Sequence, residues 1–125
     1  MELETVIKGI HDVRARIHEQ DLWSDPVGLS DAMTKLAVYN AYLADHLAPL
    51  HRAATDKAYA VFTEVKEATG KIGQAEQMSR GESTEERELY ENVQNIYRAT
   101  DNLISVMQSR VRVSENQLKR EGGVS

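Results

Sequence analysis

From Ser83 to Glu121 the chain contains neither glycine nor proline, and its apolar residues recur with a heptad period. Tyr90, Tyr97, Ile104, Val111 and Leu118 stand seven apart, and Val93, Thr100, Met107 and Ser114 follow the first four of them by three residues. Leu89, Ile96 and Leu103 widen the stripe on its other side. A stripe of this period belongs to an amphipathic helix that must bury one face against a partner along its whole length. The expected class is therefore all-α, an elongated antiparallel hairpin of two long helices with an additional N-terminal helix. The chain is expected to assemble as an oligomeric, coiled-coil-like bundle.

Two further helices are legible upstream. Leu3, Val6, Ile7, Ile10, Val13 and Ile17 recur at three and four, which predicts a narrow-faced helix over about residues 3–21. Leu22 and Trp23 follow, then the turn-forming Ser24-Asp25-Pro26-Val27-Gly28. Trp23 is expected to plug one end of the core. The second helix is expected over about 30–69, with Ser30 as N-cap and Gly70 as the stop. Pro49 lies inside it and removes one backbone donor, so a kink is expected there, because the apolar period continues through it. The first half of this helix carries two apolar faces. Leu29, Met33, Leu36, Leu43, Leu47 and Leu50 form one, and Ala37, Ala41, Ala44 and Ala48 form a second that would admit a close neighbour. Residues 71–82 read as a connection with a helical turn or two, and Ser83 with Glu86 matches a capping box that opens the third helix, 83–121.

The 125 residues are expected to form one domain, helical throughout. A net charge of −5 argues against general nucleic-acid binding, which needs a basic face. The absence of cysteine removes disulfides and thiol catalysis. The Met-Glu-Leu-Glu start is acidic and no apolar run approaches the ~20 residues of a membrane span. A cytoplasmic protein without membrane contact is the expectation.

The candidate chemistry is sparse. His11, His18, His46 and His51 lack the Glu-x-x-His or His-x-x-x-His spacing of helical metal sites, so neither a metal nor a cofactor is expected. The five tyrosines read as core or boundary packing. Acidic residues Glu82, Glu85, Glu86, Glu88 and Glu91 gather at the start of the third helix, and Arg110, Arg112, Lys119 and Arg120 gather at its end. That distribution complements the helix dipole. It also offers a candidate acidic patch for a protein partner and a candidate basic tip for DNA or an acidic partner. Val106 and Val113, seven apart and off the main seam, are the candidate oligomer contact. Paired acids at Glu64/Glu67 and Glu88/Glu91 could in principle hold magnesium for nucleotide hydrolysis. They loosely resemble the all-α nucleotide pyrophosphohydrolases, although Arg98-x-x-Asp101 stands where that family has Glu-x-x-Asp.

A second resemblance rests on Leu36-Ala37-Val38-Tyr39-Asn40-Ala41-Tyr42-Leu43-Ala44 and on Lys71-Ile72-Gly73-Gln74-Ala75-Glu76. The helix from Tyr90 to Glu115, with Ser109-Arg110-Val111-Arg112, adds to it. Over about residues 30–116 this layout resembles small helical accessory proteins that tailed bacteriophages encode near replication and recombination genes. The resemblance implies a non-enzymatic protein of the host cytoplasm that binds DNA or a DNA-processing protein. An inhibitor of a host enzyme or defence complex is the alternative, and the hydrolase a further one.

Overall fold

The computed structural model describes residues 1–122, with side chains through Arg120. Every regular element among them is helical. They are α1 (Leu3–Glu19), α2 (Pro26–Thr69), α3 (Ile72–Glu82) and α4 (Thr84–Gly122), with a 3-10 turn at Leu22–Ser24. No helix is long and apolar enough to cross a membrane among the described residues. The contacts divide the described residues into two compact units: residues 1–43 with 96–122, and residues 44–95.

Unit 1 joins α1 to the first part of α2 and the later part of α4. Val6, Ile10, Val13 and Ile17 of α1 are buried together with Leu22, Leu29, Ala32, Leu36, Leu43 and Met107. Gly9 is buried because a Cβ there would overlap the Tyr39 ring, so α1 lies close against α2 at that point. Asp21, in the left-handed region at φ 46°, turns the chain out of α1. Its carboxylate accepts from Ser24 Oγ at 3.1 Å. The start of α2 differs from the expected Ser30. Asp25 Oδ1 accepts the Gly28 N–H at 3.1 Å, and the helix opens on Pro26, whose missing donor costs nothing at that position. Trp23 is half-buried, and the neighbouring Leu22 is the residue that fills the core.

Within unit 1, two hydrogen bonds tie α4 to the segment from Trp23 to Asn40. Asn40 Nδ2 donates to Tyr97 O at 3.3 Å, and Arg110 Nε donates to Trp23 O at 3.3 Å, so the partner number falls as the α4 number rises. The expected seam of α4 buries Thr100 and Met107 fully and Tyr97, Ile104 and Val111 partly. Leu118 is 63% exposed, so the seam ends before it. The physical reason is the register: Arg110 already lies level with Trp23, ahead of the first residue of α2. The second neighbour expected for the alanine face is absent from unit 1. Ala37 and Ala41 are exposed, and α1 packs against the Tyr39 side instead.

Unit 2 holds the rest of α2, all of α3 and the start of α4. The helical pattern of α2 continues through Pro49, so the proline does not split the element. Gly70 ends α2 at φ 67°, with its N–H on Lys66 O at 2.8 Å. The segment expected as a connection is the eleven-residue helix α3, anchored by buried Ala75 and Ser79. Ser79 Oγ donates to Ala58 O at 2.7 Å, crossing to α2. The expected capping box does not form. Ser83 Oγ donates backwards to Ser79 O at 2.6 Å, and the backbone bonds Ser83 N–H to Ser79 O and Arg87 N–H to Ser83 O carry the chain on into α4. The chain arrives at Ser83 already helical, so the donors a cap would serve have partners in the preceding turn.

Candidate functional site

An open groove of about 660 Å³ lies in unit 2. Its floor is small: Ala54 and Ala58 from α2 face Ser79 and Ser83. Both serine hydroxyls are committed to backbone carbonyls, so the floor offers no free hydroxyl donor despite its composition. The walls are aromatic. His51 meets Tyr90 edge to face with ring centroids 4.9 Å apart, and Tyr59 and Phe62 line the side toward the end of α2. Tyr59 is 72% exposed, which makes it an aromatic presented to solvent, against the expectation of core or boundary packing. The rim mixes Arg80 and Arg87 with Glu76 and Glu91. A small-residue floor, aromatic walls and an amphoteric rim suit an amphipathic chain segment better than a reacting small molecule.

The five expected acidic residues are not one patch. Glu82, Glu85 and Glu88 are exposed, Glu91 stands at the groove rim, and Glu86 is half-buried, with a buried Oε2 that accepts no hydrogen bond among the described residues. The basic tip is divided as well. At about 100° per residue, Arg112 and Lys119 share one face of α4, while Arg110 lies on nearly the opposite one and bonds to Trp23 O. Arg112, Lys119 and Arg120 are exposed. Val106 and Val113 share a face and are 57% and 51% exposed, so the apolar surface expected for a self-contact is open.

For the hydrolase alternative, no group of three or more His, Cys, Asp or Glu side chains is placed to hold a metal ion among the described residues. Glu64 and Glu67 are exposed on α2, and only Glu91 of the four reaches the main groove. His11, His18 and His51 are exposed, and His46 is half-buried.

Sequence reasoning missed the groove because it treated residues 71–82 as a connection. Its signal was present in Ala75 and Ser79, one helical turn apart and continuing at Ser83. No protein-family model, curated protein or solved structure matches the chain.

Proposed function

We propose that this chain is a non-enzymatic accessory protein, of the kind tailed bacteriophages carry, that acts by seating a segment of a protein partner in the unit 2 groove. One observation carries the reading: a groove whose two floor serines are bonded to backbone carbonyls and whose exposed groups include aromatic rings and charges of both signs. Such a surface binds by shape and apolar contact, with the charged rim setting orientation. A DNA-processing protein is the first candidate partner, from the resemblance, and a host enzyme or defence complex is the second. The proposal includes the antiparallel hairpin of the long helices and self-association through Val106 and Val113.

The test is a groove-blocking variant. Ala58→Trp should abolish capture of any partner that the unaltered chain retains from host lysate, with helicity by circular dichroism unchanged. Retention of the same partner by the blocked variant would overturn the reading.

Direct DNA binding is favoured only by the stripe formed by Arg112 and Lys119. It predicts anisotropy of a labelled oligonucleotide that falls steeply with salt and is lost in the Arg112→Ala, Lys119→Ala double variant. Salt-independent or absent binding would remove it.

A further inference from the structure

On the side of unit 1 that carries Ala37 and Ala41 lies a second groove, of about 250 Å³, formed by Ala37, Asn40 and Ala41 of α2 with Tyr97, Asp101 and Ile104 of α4. Asn40 is only 4% exposed. Its amide nitrogen is used on Tyr97 O, but its Oδ1 is buried and accepts no hydrogen bond among the described residues. A buried acceptor left in this state is costly, so a donor is wanted at this point. Asp101, exposed on the groove's α4 side, adds an anionic acceptor and forms no ion pair among the described residues. Two acceptors above two alanines call for a long cationic side chain, with its stem on the methyl groups and its head between the oxygens.

The chain supplies that side chain itself. Arg98 is exposed one turn before Asp101 on α4 and likewise forms no ion pair among the described residues. We propose that a second copy of the chain docks on this face in an antiparallel, two-fold contact. Arg98 of each copy enters the other's groove and donates to the Asp101 carboxylate, and to Asn40 Oδ1 as the Asn40 side chain turns toward the groove mouth. The register supports it. A two-fold axis between Arg98 and Asp101 brings each against the other's counterpart, so both ion pairs form at once. The Asn40–Tyr97 bond sets α2 level with α4, and the same axis then crosses α2 at the height of Ala37, whose small side chain lets two helices approach closely. Guanidinium carries five donors, enough for both oxygens, and its stem can span the single helical turn that separates Asp101 from the level of Asn40.

This inference rests on the self-association half of the reading above, but it places the contact on a different face from Val106 and Val113. The test uses charge reversal and mixing, read as mass by sedimentation velocity. Arg98→Asp alone leaves only acids at the contact, and Asp101→Arg alone leaves only bases. Each should weaken the dimer by at least about tenfold. Mixing the two altered chains restores two opposite-charge pairs and should recover the dimer. An Arg98–Asp101 pair within one chain would gain nothing from mixing. Asn40→Leu should weaken the unaltered dimer without loss of helicity. A chain that stays monomeric up to its solubility limit would defeat self-association as a whole. A dimer indifferent to both reversals, or one that mixing fails to recover, would defeat this contact alone, and loss of the dimer in Val106→Ser, Val113→Ser would then locate it on the other face.

Discussion

Units 1 and 2 are built from the same long amphipathic helices, yet they bury very different things. Unit 1 closes α1 over α2 and α4, and its interior is almost wholly aliphatic, from Val6 and Ile10 through Leu29, Leu36 and Leu43 to Met107. In unit 2 only Val61, Ala75 and Val93 are buried apolar residues, and Ser79 and Ser83 occupy interior positions where unit 1 has leucines. The difference teaches that heptad spacing alone does not make a core. The seam must meet large side chains. It also accounts for the larger groove lying in unit 2, where small residues at the interface leave space between the helices.

The largest expected effect follows directly. Leu36 is fully buried in unit 1, and Leu36→Ala should cost about 2–5 kcal/mol in urea unfolding. Val61→Ala in unit 2 should cost distinctly less, because fewer atoms are lost and fewer large neighbours surround them. Native-state hydrogen exchange should follow the same order, with amides around Val61 and Ala75 opening before those around Leu36 and Met107. Equal costs for the two substitutions, or the reverse order of exchange, would break the comparison.

A smaller effect sharpens the account of unit 1. Gly9→Ala sets a methyl group against the Tyr39 ring and should cost about 1–3 kcal/mol, as overpacked sites do. In a Tyr39→Leu background the penalty should shrink, and a double-mutant cycle measures by how much. An unchanged penalty would mean that helix spacing, and not this ring, responds to the added methyl.

Much of unit 1 was legible in the sequence because large aliphatic residues at three-and-four spacing leave little choice of face. Val6, Ile10, Val13 and Ile17 are buried as their spacing requires. The seam of α4 was legible in its middle but not at its end, since the exposure of Leu118 depends on where α2 begins, and periodicity within one helix does not carry that information. The start of α2 was misplaced because Ser30 is a good cap in isolation, whereas Asp25 followed by Pro26 is a better one in competition. The groove floor was the least legible. Ser79 reads as a polar connection residue and Ser83 as a helix cap until their hydroxyls are seen to bond to Ala58 O and Ser79 O. Asn40 hid for the same reason: a polar residue among alanines and tyrosines gives no sign that one of its two amide atoms lies buried without a partner.

The smallest effect tests the thin unit from the opposite direction. Gly73 and Gly81 lie within α3, and a Cβ at either position would meet nothing within 4 Å. Glycine inside a helix costs roughly 0.5–1 kcal/mol relative to alanine, because it surrenders more backbone freedom on folding. Gly73→Ala and Gly81→Ala should therefore each stabilise by about that amount, with the gain appearing as slower exchange of α3 amides if unit 2 opens separately. Both gains should add, since the two positions are eight residues apart and share no neighbour. Alanine at Gly70 behaves differently. That residue sits at φ 67°, where a side chain is strained even in open space, so Gly70→Ala should destabilise by about 1 kcal/mol while Gly73→Ala and Gly81→Ala stabilise. Opposite signs at Gly70 and Gly73, only three residues apart, would show that α3 is a true helix preceded by a glycine-dependent stop. Equal signs would return residues 71–82 to the irregular connection that their composition suggests.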